Sequence, residues 1–508
     1  MKPKLHTETR SSFLFSRSPF LRTLGPRLLL SLLLILPSPA FTLDTDIQLP
    51  DMGDPADTVL TPTSEERLGR AFINSVRERQ KFVDKPVYED YIESLGNRIA
   101  ANSDDPGHPY SFYLIESPVV NAFAGPGGHI AVYSGLVLTT QSESELAAVL
   151  SHEIAHVTQK HLLRTFYRAQ QMSVPAAVAL LAAVLIGVGG GGGDFTRAAV
   201  AGIQGGMLQD QINYTRHNEE EADRVGMDTL ARTNFDPRSM PAFFGRMGKA
   251  SQAYSSKLPE FLRTHPVTTN RIGDALGRSE KYPYKQHDEN IRYHLLRSWL
   301  KMRSFQQPSK AVAYFANNLR EGRYNNKEAE EYGQALALMQ QRQFDQARPI
   351  LSQLLQGRPQ TVEYRLALAD LEAAGGRPAL AKNIIAEGRK TLSDNKPLAL
   401  GHAELLEKEG SYREAASVLG KLVKNNPENS RLLLLLSMAE GKSGNRPDAH
   451  GHLAEHYYLN GELKAAINQL EIALREPALS DYQSARFAAR LRILKQEFVE
   501  QENMRKKH

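Results

Sequence analysis

Four alanines at a fixed interval constrain the fold of this 508-residue chain more than any other feature. They lie 34 residues apart, at Ala347, Ala381, Ala415 and Ala449. A glycine stands five residues before each of the last three, at Gly376, Gly410 and Gly444. A period of this length indicates helical hairpins, which cannot bury their apolar faces alone and therefore stack on one another. The sequence predicts an α-solenoid with a concave surface.

Small residues where helices cross, repeated every 34 positions, are typical of tetratricopeptide repeats. We expect these repeats over residues 308–508. They continue through Leu463–Leu474 after a shorter unit and end in a helix over Tyr482–Phe498. The concave face of such a stack binds peptides, partner helices or the chain's own catalytic domain. The residues alone leave these three alternatives open.

The pentapeptide His152-Glu153-Ile154-Ala155-His156 carries the chemistry of the chain. Histidines four apart on a helix lie on one face, so both imidazoles can reach one metal ion. Glu153 lies beside them, where it can take a proton from water. The pattern is the signature of zinc proteases. A hydrolytic zinc site has three protein ligands, and because the chain contains no cysteine, the third must be His, Asp or Glu.

The residues before the pentapeptide support a helix there. Ser142 and Glu145 form a capping-box pattern, and Leu146, Val149 and Leu150 supply an apolar stripe. The alternative interpretation is an amphipathic helix whose histidines are merely on the surface.

A small sheet is predicted immediately before this helix, after a helical region over residues 64–101. The segments Tyr110–Ile115 and His129–Ser134 are rich in β-formers, with a turn at Gly125–Gly128 between them. An exposed edge strand of such a sheet can hold a substrate in extended form by main-chain pairing. We expect the edge at the segment Asn121, Ala122, Phe123 and Ala124.

The first forty residues are typical of a signal peptide. Six Lys or Arg and one acid, Glu8, precede or flank the apolar run Leu28–Leu36, and small residues follow up to Ala40. We expect cleavage after Ala40 and an extended lead over residues 41–63. The alternative is an uncleaved anchor, but nine apolar residues are fewer than the roughly 20 that span a bilayer.

Charge and cysteine content indicate the compartment. The leader accounts for the whole net charge of +5, so the mature chain is near neutral and its basic pI gives no argument for nucleic acid. An exported chain without cysteine, for disulfides or for lipid attachment, fits the periplasm.

A second apolar run, Val174–Val188, is followed by the five glycines Gly189–Gly193. At fifteen residues it is too short for a membrane span of about 20. It fits either a core helix hairpin or a loop over residues 174–207 that makes peripheral contact with a membrane.

The acidic run Asn218–Asp223 completes a family pattern. The chain resembles the gluzincins that include the CAAX prenyl proteases and the heat-shock membrane protease. Its leader and repeats make it similar to the periplasmic beta-barrel assembly-enhancing proteases. The resemblance also covers three further stretches, Asn121-Ala122-Phe123, Pro126–Ile130, and His265-Pro266 with Arg271. It implies an α+β, mostly helical fold, in which a zincin-type metallopeptidase domain with a small sheet, residues 64–307, precedes the α-solenoid.

The resemblance also assigns roles to residues. In that group the third ligand is the Glu of an E-x-x-x-D motif, here Glu219, and the Asp, here Asp223, orients a ligand histidine. One zinc ion per chain is then held by His152, His156 and Glu219, with Glu153 as the general base. Glu220 and Glu221 are expected to be solvated or helix-packing, His217 exposed, and His161 no ligand.

Two downstream residues have alternative roles. His265 and Arg271 are candidate donors to the reacting oxygen, and Arg271 suits a substrate carbonyl or carboxylate. His265 could instead be a fourth ligand that keeps the enzyme latent, or a loop-packing residue.

Three functions follow from these expectations. The first is a periplasmic zinc endopeptidase that degrades misassembled outer-membrane proteins and assists their assembly, with the repeats docking the client or the assembly machinery. The second is a chaperone for that assembly with latent or minor peptidase activity. The third, an integral membrane protease, depends on Val174–Val188 alone.

Overall fold

The structure is a computed structural model that describes residues 62–164, 205–253, 259–284 and 287–507. These residues are mostly helical and include one three-stranded sheet, as the predicted fold class requires. The leader 1–40, residues 41–61 of the lead and the apolar run Val174–Val188 lie outside them.

The sheet contains β1 (Ser111–Ile115), β2 (Ala122–Gly125) and β3 (His129–Tyr133) in the order β1-β3-β2. β1 is parallel to β3, and β2 is antiparallel to it. The small sheet predicted before the metal helix is therefore confirmed, and β2 lies at one edge. Gly127 and Gly128, with φ of 68° and 72°, form the tight turn into β3, where left-handed backbone favours glycine.

Helices cover both faces of the sheet. α1 (Pro62–Arg79) packs Phe72 and Val76 on one face, against Phe123. The other face belongs to the main hydrophobic core. That core includes residues of α2 (Pro86–Ala100), α3 (Ser134–Thr139) and α4 (Glu143–Thr158).

α4 begins at the predicted capping box. The Ser142 hydroxyl accepts from the Glu145 N–H at 3.2 Å. The Glu145 carboxylate in turn accepts from the Gln141 N–H at 2.7 Å. In the standard capping box it would accept from the N–H of the N-cap residue itself, here Ser142. The alternative of a surface helix with exposed histidines is wrong, because His152 is only 1% exposed.

α5 (Gly205–Arg232) crosses α4 at very close range. A Cβ atom added at Gly226 would lie 3.0 Å from the Ser151 carbonyl oxygen and 3.1 Å from the His152 main chain. The absence of a side chain at Gly226 thus sets how near α5 comes to the metal helix. The peptidase region continues with α6 (Ser239–Ala253), α7 (Glu260–Thr264) and α8 (Thr269–Ser279).

Helical hairpins fill the rest of the chain. They are α9 (Ile291–Arg303), α10 (Pro308–Glu321), α11 (Lys327–Gln340), α12 (Phe344–Gly357), α13 (Val362–Ala374), α14 (Pro378–Thr391), α15 (Lys396–Lys408), α16 (Tyr412–Asn425), α17 (Ser430–Ser443), α18 (Arg446–Leu459), α19 (Leu463–Ala473) and α20 (Asp481–Lys507). The four anchoring alanines are buried, as the repeat pattern requires. α18 packs on both α17 and α19, so the stack continues through the shorter unit.

The repeat glycines have a conformational role. Gly376, Gly410 and Gly444 connect the paired helices with φ of 81°, 78° and 91°. Arg342 occupies the same place in the preceding hairpin with φ of 60°, a conformation that is strained for a residue with a Cβ atom.

The peptidase region and the repeats share one core. The Tyr88 ring of α2 lies 4.6 Å from the Trp299 ring of α9, and the Tyr88 hydroxyl is 2.9 Å from that of Tyr332 on α11. The main hydrophobic core runs from the sheet through α9 into the first repeats. α9 therefore bridges the two domains whose boundary the sequence placed at residue 307.

α2 and Lys85, the residue before it, are also held by ion pairs to the first helices of the hairpins, which form the inner face of the stack. Their lengths are 2.7 Å for Lys85–Asp370, 3.1 Å for Lys396–Glu93 and 2.7 Å for Arg431–Glu89. Of the three occupants left open for the concave face, the chain's own catalytic domain takes this part of it. Within the described ranges, no helix is long and apolar enough to cross a membrane.

Candidate metal centre

α4 brings the two signature histidines together. His152 and His156 are four residues apart, and their Nε2 atoms lie 3.1 Å from each other. Both rings therefore present the same nitrogen to one point, as the helical spacing predicted.

α5 places the expected third ligand opposite them. Glu219 is 4% exposed, and its carboxylate oxygens lie 3.5 Å from the Nε2 atoms of both His152 and His156. The sequence alone could not fix this approach, because α5 lies some sixty residues further along the chain.

His265, directly after α7, reaches the same point. Its Nδ1 lies 3.3 Å from His152 Nε2 and 3.1 Å from Glu219 Oε1. Its ring stacks on Phe261 with centroids 5.0 Å apart, which fixes its orientation. One ligand atom from each of His152, His156, Glu219 and His265 lies within 4.8 Å of all the others.

This donor set fits a zinc ion. Imidazole nitrogens and a carboxylate are ordinary zinc ligands, and they converge here in a buried site. Two buried polar atoms beside the group, Glu153 Oε1 and His265 Nε2, lack a hydrogen-bond partner among the described residues. Groups of this kind suit a site that binds a metal ion and water.

Glu153 lies next to the group and is itself buried. It is 1% exposed, and its Oε1 is 3.5 Å from His265 Nε2. Burial raises the pKa of the Glu153 carboxyl, although the charges of His265 and His152 oppose the rise. A carboxylate with a raised pKa is a better proton acceptor.

Asp223 orients His152 from behind, in the place that the family resemblance implied. Its Oδ1 is 3.0 Å from His152 Nδ1. Burial disfavours charge on His152, but its contacts with Asp223 and Glu219 outweigh burial and raise its pKa to about 10. Burial and the His152 charge together hold the pKa of His156 well below its usual value.

Arg271 lies behind the group rather than at its open side. Its Nε and Nη2 donate to Asp223 at 2.7 and 2.8 Å, and its Nη1 reaches Glu219 at 2.9 Å. Despite burial, these contacts lower the pKa of Asp223. Nη1 also donates to the Pro266 carbonyl oxygen at 2.7 Å. The structure therefore places the Arg271 guanidinium against Asp223, Glu219 and Pro266, behind the ligand group.

A second orienting chain was missed from the sequence. His161 Nδ1 lies 2.9 Å from His156 Nδ1, and His161 Nε2 lies 3.1 Å from Glu221 Oε2. Helical periodicity could not place His161, because α4 ends at Thr158 and Lys160 has a φ of 53°. Glu221 is thus tied to the histidine network instead of being solvated. His217 and Glu220 are exposed, as expected.

The expected substrate segment lies along β2. Asn121 is buried and its carboxamide oxygen accepts from the Ala122 N–H at 3.0 Å. The Asn121 carbonyl pairs with the Tyr133 N–H, so the alternation of an antiparallel ladder turns the main chain of Ala122 toward the outer edge. The Phe123 ring packs in the core with Phe72, 5.7 Å away, and its main chain pairs with β3.

A helix with two zinc-binding histidines, a glutamate on a crossing helix and a buried acid beside them define a zinc metallopeptidase. The family model of Peptidase family M48 matches residues 86–279, and the family model of the tetratricopeptide repeat matches residues 332–382. The beta-barrel assembly-enhancing protease of Escherichia coli K12 is 32% identical over 460 residues, which are 90% of this chain and 93% of that protein.

Two further relatives are also proteases by name. The beta-barrel assembly-enhancing protease of Yersinia pestis is 31% identical, over 87% of this chain and 90% of its own length. The mitochondrial metalloendopeptidase OMA1 of Schizosaccharomyces pombe is 28% identical, over 36% of this chain and 50% of its own. The chain belongs to the beta-barrel assembly-enhancing protease family and is a zinc metalloendopeptidase with tetratricopeptide repeats.

Proposed function

We propose that this chain is a periplasmic endopeptidase that degrades misassembled outer-membrane proteins and assists their assembly. The grouping of His152, His156 and Glu219 beside the buried Glu153 carries the proposal. The names of the relatives refer to beta-barrel assembly, which supports outer-membrane proteins as the clients. The leader up to Ala40 and the lack of cysteine support the periplasm.

The residues act in separate roles. His152, His156 and Glu219 hold the zinc ion, which when bound activates water and polarises the scissile carbonyl. Glu153 accepts the proton of the attacking water and passes it to the leaving amine. Asp223 and His161 hold the two histidines through their Nδ1 atoms, which leaves both Nε2 atoms for the metal.

Substrate is held by the main chain of β2. Ala122 itself is buried and its N–H is bound by Asn121, so an extended peptide would lie along β2 at the half-exposed Ala124. This strand is next to α4, and the peptide would pass the Glu153 carboxylate. Asn121 and Phe123 support this edge from within the fold. The repeats dock the client or the assembly machinery, and peripheral membrane contact through residues 174–207 is part of the same proposal.

The test is zinc content beside casein cleavage for the wild type and Glu153→Gln. We expect about one zinc ion per chain in both proteins and cleavage in the wild type alone, since the amide retains the shape of Glu153 but cannot take the proton. Absence of zinc from both would contradict the metal site. Full rescue of an assembly-deficient strain by Glu153→Gln would instead favour the chaperone function.

The same assay tests the hypothesis that His265 keeps the enzyme latent. Because its imidazole already lies at the ligand cluster, it would compete with water for the position that hydrolysis needs. His265→Ala should then raise casein cleavage severalfold. An unchanged or lower rate, with zinc retained, would remove the latch and leave a packing or donor role.

A further inference from the structure

A cleft of about 500 Å³ lies between the peptidase region and the first repeats, away from the metal group. Its walls are the segment 81–87 before and at the start of α2, the end of α9, and the inner faces of α11 and α13. The proteolytic site uses none of these residues. Cavities of about 300–1,000 Å³ are the size that binds ligands in proteins.

The floor of the cleft is apolar. Trp299 and Leu336 are each 9% exposed, and Met302 and Met339 continue the same surface. The mouth is polar, because the side chains of Lys81 and Asp370 are 69% and 43% exposed. A ligand in the cleft therefore needs apolar groups on one side and polar groups on the other.

One wall offers unpaired main chain. The Lys81 carbonyl oxygen accepts from the Glu116 N–H at 2.7 Å, and the Val83 N–H donates to the Leu114 carbonyl oxygen at 2.8 Å. Phe82, between them, faces Ile115 in an antiparallel bridge. Its N–H and C=O must therefore point away from β1, and they have no partner among the described residues.

The cleft also contains an acceptor that the fold leaves unused. Glu363 is 1% exposed, and its Oε1 accepts from Arg292 Nε at 2.7 Å. Its Oε2 has no hydrogen-bond partner within the described ranges. A buried oxygen without a donor is costly, so a ligand that supplies a donor gains from it.

We propose that this cleft binds an extended polypeptide segment in which large apolar side chains alternate with polar ones. The segment pairs its main chain with Phe82, as in strand addition to a sheet edge. Alternate side chains of an extended chain point to opposite sides, so one set contacts the floor at Trp299 and Leu336 and the other set faces the mouth.

The choice of ligand rests on the proposed function, because strands of outer-membrane barrels alternate apolar and polar residues. The Phe82 edge and the β2 edge are opposite edges of the same sheet. A segment held in the cleft therefore leaves the β2 edge free for the segment that is cut. Holding and cutting can occur on one client.

The test uses a fluorescein-labelled dodecapeptide that alternates Val or Tyr with Thr or Lys. Its binding to the full chain carrying Glu153→Gln is followed by fluorescence anisotropy, so cleavage cannot interfere. Met339→Glu should weaken binding at least about tenfold, since it places a charge on the apolar floor. Met438→Glu is the matched control, because Met438 is 45% exposed on α17 outside the cleft, and it should leave the affinity unchanged.

A second arm alters the peptide instead of the protein. N-methylation of every second backbone amide should weaken binding at least about tenfold if main-chain pairing with Phe82 holds the ligand. This arm is informative even if Met339→Glu fails to fold. Equal binding of the methylated peptide, or of a helix-forming Ala/Glu/Lys peptide of the same length, would overturn the proposal.

The outcomes also separate this inference from the proposed function. Casein cleavage by the wild type without any binding of the alternating peptide would remove the cleft as a docking site and leave the protease. Binding that Met339→Glu weakens, in a chain that holds no zinc and cleaves nothing, would remove the protease and leave the cleft.

Discussion

All three guanidinium nitrogens of Arg271 contact other groups of the protein. Nε and Nη2 bind Asp223, and Nη1 binds Glu219 and the Pro266 carbonyl oxygen. Arg271 therefore fixes a metal ligand directly and a second ligand, His152, through Asp223. Partners of this kind set the orientation, and hence the affinity, of a metal site.

Arg271→Lys should lower zinc affinity by about 10–100-fold, because an ammonium keeps the charge but cannot bind both carboxylates with a planar fork. Competition with a chelator measures this change. Arg263→Lys is the matched control, since Arg263 is 58% exposed and pairs with Glu260 in the same helix. Unchanged zinc affinity together with a raised KM would return Arg271 to the substrate-binding role that the sequence suggested.

The residues of this site differ in how far the sequence could specify them. His152 and His156 followed from helical spacing, because α4 is regular between its cap and Thr158. The place of Arg271 depends on where the chain returns after α7, and no local pattern encodes that path. The contact of His161 with His156 was not predicted for a similar reason, since His161 follows the end of the helix whose period was used.

At the scale of elements, the approach of α5 to α4 decides the geometry of the metal group. Gly226 lies at the crossing, beside the main chain of His152. Glu219 and Asp223 lie on the same helix, so any outward shift of α5 moves a ligand and an orienting residue together. The main chain of a packed helix cannot move away from an added methyl group, whereas the end of a flexible side chain can.

Gly226→Ala should therefore weaken zinc binding by about tenfold and lower the thermal midpoint, because overpacking of this kind costs about 1–3 kcal/mol. Gly245→Ala in α6 is the matched control, since no atom of the described residues lies within 4 Å of a Cβ atom there. It should be neutral or slightly stabilising. Zinc affinity equal to that of the wild type in Gly226→Ala would show that the crossing tolerates the methyl group.

The elements themselves were largely predictable. The repeat period, the β-rich segments and the capped metal helix all depend on residues close in sequence, and the structure places each near its expected bounds. The sequence did not predict that α9 lies between the peptidase region and the repeats. That position depends on contacts with α2 and α11, and α2 is distant in sequence. Sequence periodicity reports that a helix has an apolar face but not which partner covers it.

In the whole molecule, α2 and α9 together connect the catalytic region to the repeats. The Tyr88 ring packs on Trp299, the only tryptophan of the chain. Arg431 pairs with Glu89 at 2.7 Å and also contacts Asp84. The emission of Trp299 therefore reports on the packing of α2 against α9.

A double-mutant cycle on Arg431→Ala and Glu89→Ala measures what this ion pair contributes. With side chains 34% and 36% exposed, the pair should have a coupling energy of about 0.5 kcal/mol at low salt. Urea unfolding followed by Trp299 emission gives the four stabilities. The coupling should fall in 1 M salt, where the Debye length is about 3 Å. A coupling of zero at both salt concentrations would mean that the Arg431–Glu89 pair does not help to hold α2 against the repeats, and that the apolar core and the other ion pairs do.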